Sequence, residues 1–586
     1  MLVVAGGAAL RESVTVDEVA HIGAGLSYLQ RLDMRLNPEH PPLAKMAAAL
    51  PLVIAGARAD YSGAAWKVCE DFIPAYGAQW VFGDAVLGRW NAWRPVLMQA
   101  RIPMLVVTLL LGWVLYRYGE KLGGPWAGLL CLAAYVTTPA FLVFGPLVLT
   151  DLPETLFSIV ALWRLGEIWK SPTTANARWF GLAFGGALLA KFNGVLLLAV
   201  VAVLFIQNRF WPTTPDPRLR WRCIGRGILL AAFLVYMTYL VFTWNQPDDA
   251  LNLVGHGRWA RLIRRPLMPV WVFLRGLFMV AATGSRQTYL FGQVHAHGVA
   301  YYFPVVFVLK STLGFLALLV ISALSGVVGK TRAIADAYRD HWRVLTVGFF
   351  VFLGVCLISQ LDISIRHFMV PIALLILMLA PLPRTMETLP WFGAWQVSAV
   401  LAVICSFGAV LMAYPYLFPF INSLAFGRPA YLLVNDSNVT WNEGLPALED
   451  FVRQEHLTSI ALDWASLSDP AIVVPEARIW DCQNPAREDA GQWVAVTAIS
   501  LLENKNCGYL LQYPSRPIAG GAFYAFKLPS PAPSAPQNPR IMWGMPMDLR
   551  SWTVNLERHP EQLPAAMQAM IAKYQQEFQQ RRNKAR

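Results

Sequence analysis

A helical bundle that crosses a membrane many times, followed by a small soluble α/β domain, is the fold this sequence predicts. Composition is the first reason. Of 586 residues, 56% are hydrophobic and 14% charged, with mean hydropathy +0.44, whereas a soluble domain is about a quarter charged. Patterning is the second. The apolar residues gather into runs close to the ~20 needed to cross about 30 Å of hydrocarbon as a helix. The third is a change of texture after residue 413, where short strand-like segments replace the long apolar runs.

About ten runs are long enough, or nearly so, to span: 96–116, 125–143, 147–164, 178–190, 193–208, 224–242, 302–325, 344–360, 367–382 and 392–413. The pair at 178–208 is short and could be one bent helix. Met1–Leu10 is half a span ended by Arg11-Glu12, which would make about eleven helices if completed. Basic loops alternate with the runs. Arg117 and Lys121 form one, Arg164, Lys170 and Arg178 another, and Arg209, Arg218, Arg220, Arg222 and Arg226 the strongest. Lys330, Arg332, Arg339 and Arg343 form a fourth, and Arg384 marks a fifth. Positive charge stays on the cytoplasmic side. The transmembrane domain is therefore expected at 1–413 with outer loops 17–95 and 243–301, and 414–586 forms an extracytoplasmic α/β domain with a polar tail. The net charge of +12 lies largely in topology-setting loops, so the expected partner is the bilayer and not nucleic acid.

Within the first outer loop, 41–55 is apolar around Lys45 and reads as an interfacial helix. Pro41-Pro42 suits its start, where the missing amide would be unpaired anyway. The second loop carries Arg258, Arg261, Arg264 and Arg265 and then an apolar, interfacial piece at 267–282. In the C-terminal part, Tyr431–Val434, Ile460–Leu462, Ala471–Val474, Trp493–Val496, Gly508–Gln512 and Ala522–Phe526 look like strands, and Gly444–Arg453 like a helix. Residues 528–539 read as a proline-rich linker and 560–586 as a polar helix.

Cys131, Cys223, Cys356 and Cys405 fall in or beside spans, as small core residues do. Cys69, Cys482 and Cys507 lie on the outer side, where a Cys482–Cys507 disulfide is permitted. Gly329-Lys330-Thr331 is a decoy for a phosphate loop: Leu324 stands where the first glycine belongs, and an apolar helix precedes it instead of a strand. His295 and His297 read as surface residues.

What remains is a carboxylate pair, Asp17-Glu18, followed by Asn37-Pro38-Glu39-His40-Pro41-Pro42-Leu43-Ala44-Lys45. Acids at a membrane boundary are costly unless they do chemistry or bind something. Further polar blocks follow in order: Leu149-Thr150-Asp151, Ala190-Lys191-Phe192, Tyr301-Tyr302-Phe303-Pro304 running to Lys310, Arg366-His367-Phe368, and Asp436-Ser437-Asn438 with Trp441. This ordered set resembles glycosyltransferase family 39, the protein O-mannosyltransferase-like group of the GT-C superfamily that includes the lipid A aminoarabinose transferases. The chain departs from the bacterial relatives after Asn438, where Thr440-Trp441-Asn442-Glu443-Gly444-Leu445 replaces their usual Asp-Trp-Gly-Gln-Asp-Leu.

The resemblance implies transfer of a sugar from a polyprenyl-phosphate donor to an acceptor outside the cytoplasm, with inversion, at an inner (plasma) membrane. Protein, lipid and glycan acceptors all remain open. Asp17 matches the family's catalytic aspartate, and a carboxylate can take the acceptor hydroxyl's proton. The structural alternative for Asp17 is a helix N-cap. Glu18 and Asp151 are the other candidate carboxylates, Asp151 alternatively capping the helix at Leu152-Pro153. Lys191, Lys310, Arg366 and Arg101 sit at or just inside span ends. They either hold the lipid phosphate or snorkel to the interface. His40, Lys45, Tyr301 and His367 complete the expected substrate-binding set. No cofactor is certain. A divalent cation could be held by Asp17, Glu18, Glu39, His40 or Asp151, although capping and hydrogen bonding explain these residues equally well. The rival reading is a transporter or flippase of a lipid-linked sugar, against which stands the clustering of polar blocks on one face instead of at midplane breaks.

Overall fold

The computed structural model describes residues 1–62, 66, 79–210, 217–247, 258–283, 286–328, 338–434, 436–464, 469–480, 482, 489–502 and 507–533. Cys69, Lys330, Arg332 and the expected helix at 560–586 lie outside them.

Each of the ten apolar runs contains a helix. Two helices, α1 (Val16–Arg31) and α2 (Leu43–Ile54), precede the bundle. Then come α3 (Trp93–Gly123), α4 (Pro125–Val136), α5 (Asp151–Lys170), α6 (Thr174–Ala190), α7 (Leu196–Phe210) and α8 (Pro217–Phe242). α9 (Arg258–Thr283) and a hairpin of β1 (Thr288–Leu290) and β2 (Gln293–His295) lead to α10 (Tyr302–Lys310), α11 (Leu313–Val328), α12 (Arg339–Ile358), α13 (Met369–Met378) and α14 (Phe392–Ala413). Among the described residues six helical stretches are long and apolar enough to cross a membrane: Trp93–Gly123, Phe192–Phe210, Pro217–Phe242, Arg339–Ile358, Ile365–Met386 and Phe392–Ala413. The pair Tyr302–Lys310 and Leu313–Val327 would make a seventh but bends by 113°. The chain is a multi-pass membrane protein.

The remaining runs depart from single straight spans for local reasons. The run 125–143 breaks at Thr137-Thr138, whose hydroxyls donate to the carbonyls of Ala133 and Ala134 before Pro139 opens a new turn. α5 carries Asp151, Glu154, Arg164 and Glu167 and is largely enclosed by the bundle. The pair at 178–208 is two helices, because Lys191 adopts an extended conformation (φ −153°, ψ 146°) between them.

Two glycines set the packing of α1, α2 and α9. At Gly25 a Cβ would stand 2.1 Å from the carbonyl oxygen of Lys45, so only glycine lets α1 cross α2 this closely. At Gly276 a Cβ would lie 2.3 Å from the Pro38 oxygen and 2.6 Å from the Phe192 ring, which fixes α9 over the 37–40 turn. The other face of α9 exposes Ile263, Leu267, Val270, Trp271, Leu274 and Phe278 at helical spacing, as an interfacial helix does.

The C-terminal part is α/β. α15 (Leu445–Gln454) buries Leu445, Leu448 and Phe451 in a core shared with Ile460 and Leu462. The strands β3 (Ile460–Asp463), β4 (Ala477–Trp480), β5 (Trp493–Thr497), β6 (Ser515–Ile518) and β7 (Phe523–Lys527) form one sheet in the order β4-β3-β5-β7-β6. β3 is parallel to β4 and β5, and β7 is antiparallel to β5 and β6. Three strand expectations give way to 3-10 turns. Ala430–Leu432 follows Pro429, Pro470–Ile472 is capped by Asp469, and Cys507–Gln512 starts at a Cys482–Cys507 disulfide. β4 and β6 were not anticipated; their outward residues, such as Arg478 and Arg516, break the apolar pattern.

Candidate functional site

Asp17 and Glu18 are neighbours with opposite fates. Thr15 is the N-cap of α1, and Glu18 completes a capping box, its Oε2 accepting from the Thr15 amide and hydroxyl at 3.0 Å each. Asp17 is therefore not the cap. It lies in the first turn, where the helix dipole favours a negative charge, and its side chain is 23% exposed, against 0% for Glu18. Glu18 turns into the protein, pairs with Arg101 at 2.6 Å and accepts from the Val148 amide at 3.0 Å.

Asp17 faces a polar cavity of about 130 Å³ lined also by Asn37, Glu39, His40, Thr150, Asp151, Lys191, Arg286, Arg366 and His367. A second chamber of about 390 Å³ shares Glu39, His40, Lys191 and His367 with it and is walled by Phe192, Phe303, Val355 and Cys356. Two ion pairs frame the polar chamber. Arg366 Nη1 lies 3.0 Å from Asp17 Oδ2, and Lys191 Nζ lies 2.6 Å from Asp151 Oδ1. Each cation comes from a deviation in its helix. Lys191 occupies the break before α7, and Arg366 a 3-10 turn capped by Ser364 before α13. Among the described residues, Arg366 Nε and Glu39 Oε2 are enclosed without a hydrogen-bond partner.

The 37–40 turn is held from below. Lys45 Nζ bonds to Asn37 O at 2.8 Å, His40 O at 2.6 Å and Tyr28 Oη at 2.9 Å. Asn37 itself is left-handed (φ 49°), a conformation asparagine tolerates. His40 stands edge-on to His21, ring centroids 5.3 Å apart. His21 Nδ1 donates to Val148 O at 2.7 Å, which fixes its tautomer. Burial pushes both imidazoles down, holding them neutral, and pushes the Glu39 carboxyl up.

Six of the residues singled out in the sequence thus converge on one cavity: Asp17, His40, Asp151, Lys191, Arg366 and His367. Five others are placed elsewhere. Glu18 and Arg101 neutralise each other out of reach of the cavity. Lys45 is a pin beneath the 37–40 turn. Lys310 bonds to the carbonyls of Phe418 (2.5 Å) and Asn438 (2.6 Å), which satisfies it without a phosphate. Tyr301 is exposed at the start of α10. Arg286 was missed, since a lone arginine after an amphipathic helix gives no sequence signal. Among the described residues, the only three His, Cys, Asp or Glu ligand atoms within 4.8 Å of one another belong to Asp463, Cys482 and Cys507. Two of those are the disulfide, so the cavity acids do not form a three-ligand metal site in this arrangement.

Residues 95–239 match the family model described as dolichyl-phosphate-mannose-protein mannosyltransferase. No curated protein matches the chain. Among solved structures, ArnT from Cupriavidus metallidurans in the apo state is similar at 15% identity and TM-score 0.42, covering 92% of this chain and 97% of that one. The same enzyme bound to undecaprenyl phosphate gives 14% identity and TM-score 0.44, covering 90% and 96%. The apo oligosaccharyltransferase of Archaeoglobus fulgidus gives 12% identity and TM-score 0.43, covering 85% and 67%.

Proposed function

We propose that this chain is a membrane glycosyltransferase that moves a sugar from a polyprenyl-phosphate donor to an acceptor on the extracytoplasmic face of the inner membrane. The observation that carries this is the pairing of Asp17 with Arg366 on one wall of the cavity, with Lys191 on another. The match of residues 95–239 to the dolichyl-phosphate-mannose-protein mannosyltransferase family model supports it.

The chemistry follows from the side chains. Arg366 Nη1, 3.0 Å from Oδ2, orients the Asp17 side chain toward the cavity, where it can take the proton of an acceptor hydroxyl. The freed oxygen forms its bond to the anomeric carbon as the bond from that carbon to the phosphate oxygen breaks, which inverts the centre. The departing polyprenyl phosphate carries the electron pair. Arg366 presents several N–H donors in one plane, and the enclosed Nε, without a protein partner, suits a phosphate oxygen. Lys191 and Arg286 add positive charge along the same cavity. The apolar walls of the second chamber suit the first isoprene units of the donor.

Asp17→Asn tests the assignment. It keeps size and leaves the Thr15 cap untouched, so folding and lipid binding should persist while transfer falls by about 10²–10⁴-fold, the range for a lost general base. Activity within about threefold of wild type, well below that range, would show that Asp17 is not the base. Movement of a lipid-linked sugar across liposomes without any turnover would favour a transporter instead.

A further inference from the structure

The loop 436–443 touches Arg366 and the backbone just before Asp17 without lining the cavity. Trp441 is almost fully enclosed, and the Arg366 guanidinium carbon sits 4.0 Å from the centre of its ring. The carbonyl oxygen of the same residue accepts a hydrogen bond from the Val16 amide at 3.3 Å, one residue before Asp17. The side chain of Trp441 therefore contacts one member of the ion pair, and its carbonyl holds the backbone one residue before the other.

The loop is itself anchored to both segments. Toward Arg366, Asn438 Oδ1 accepts from the Ile365 amide at 2.9 Å, and Asn438 Nδ2 donates to Ile363 O at 3.2 Å and to Tyr302 Oη at 2.8 Å. Toward Asp17, Glu443 O accepts from the Ser13 amide at 2.9 Å, and Asn442 O from the Ser13 hydroxyl at 2.5 Å. Lys310 holds the Asn438 carbonyl from behind. Asp436 (φ 57°) and Asn442 (φ 79°) bracket the loop in left-handed conformations. Asp and Asn adopt these at less cost than other non-glycine residues.

We propose that Trp441 is a positioning residue that sets where Arg366 presents its free N–H groups, so that the segment following the membrane domain completes the phosphate-binding half of the site. The proposal rests on the reading of the cavity as a polyprenyl-phosphate site. An aromatic face holds a guanidinium by its ring quadrupole while leaving the in-plane donors free. Asp17 occupies one of these, and the phosphate takes others. A leucine of similar burial fills space but cannot hold the cation.

The test uses the full chain in nanodiscs, with undecaprenyl monophosphate as probe, and a cycle of four proteins (wild type, Trp441→Leu, Arg366→Gln and the double variant), with Trp441→Phe as a fifth, rescue variant. Trp441→Leu should weaken binding about tenfold, as loss of a desolvated cation–π contact implies. Trp441→Phe, which keeps an aromatic face, should restore most of the affinity. In the Arg366→Gln background, Trp441→Leu should add no further loss. Equal losses in Trp441→Leu and Trp441→Phe, or the same loss with and without Arg366, would overturn the proposal. If Arg366→Gln alone leaves affinity unchanged, the phosphate reading of the cavity fails, and the melting temperatures of the same four proteins decide the rest. Non-additive shifts then support the placement of Arg366 by Trp441, and additive shifts overturn it. Trp441→Met, which keeps more of the buried volume, replaces Trp441→Leu if the latter does not fold.

Discussion

Glu18 and Arg101 form an enclosed pair, Oε2 to Nη2 at 2.6 Å, with side chains 0% and 1% exposed. Arg101 also donates to the carbonyls of Ala9 (2.7 Å) and Ser13 (2.9 Å), so it ties the N-terminal segment to α3. Breaking one partner of a buried pair leaves an uncompensated charge and costs about 3–5 kcal/mol. Glu18→Gln should therefore melt well below wild type in detergent, while Asp17→Asn should not. Equal melting of the two variants would refute the division of labour. From the sequence alone, Glu18→Gln would be the mild control for Asp17; the buried pair makes it the more damaging change to folding.

That reversal shows what the sequence could and could not carry. Apolar run length placed the helices, because hydrocarbon thickness fixes it. The acids at 17, 18, 39 and 151 stood out, since charge near hydrocarbon needs a reason. Which reason applies is a matter of partners distant in the chain. Arg101, Lys310 and Arg366 look alike at span ends. Only the fold gives Arg101 a carboxylate, Lys310 two carbonyls and Arg366 a cavity. Trp441 was part of a matching block with no role attached, because its neighbour Arg366 is far away in sequence. The sheet was half recovered: β3, β5 and β7 are apolar and enclosed, whereas β6, at the sheet edge, exposes Ser515, Arg516 and Pro517.

Lys310 supplies a second prediction. Its ammonium satisfies the carbonyls of Phe418 and Asn438, and each buried acceptor left unpaired costs about 1–3 kcal/mol. Lys310→Met should lower the melting temperature, with any loss of polyprenyl-phosphate affinity following from disorder of the 436–443 loop. A variant that melts like wild type yet fails to bind undecaprenyl phosphate would return Lys310 to the role of phosphate ligand.

The Cys482–Cys507 bond closes a 25-residue separation within the sheet region. Loop-closure entropy gives about 3.5 kcal/mol for a cross-link of that size. Cys482→Ser/Cys507→Ser, or wild type under a reducing agent, should lose C-terminal stability of that order and become cleavable there by protease. Mass mapping without reductant that finds two free thiols would remove the basis for this. So would proteolysis unchanged by reduction.

Glu443 gives the pH dependence. It lies outside the spans, enclosed at the end of the 436–443 loop, and burial pushes its carboxyl up to about 7. Hydrogen bonds from the Trp441 amide and the Thr440 hydroxyl, and the charge of Lys310, oppose the shift without cancelling it. In the unfolded chain the group titrates near 4.5. Between these values the folded protein holds a proton that the unfolded chain has released. Folding stability therefore falls as pH rises from about 4.5 to about 7, by up to roughly 3 kcal/mol for a shift of this size, and the loss is complete above it. Glu443→Gln cannot ionise and escapes the loss. Arg101, Glu12 and Lys310 surround the site in both proteins and feel the charge of Glu443. The melting temperature of Glu443→Gln minus that of wild type should thus be larger at pH 8 than at pH 5. A difference that stays constant across that interval would mean that Glu443 keeps one ionisation state throughout, and the loop that carries Trp441 would then owe nothing to its protonation.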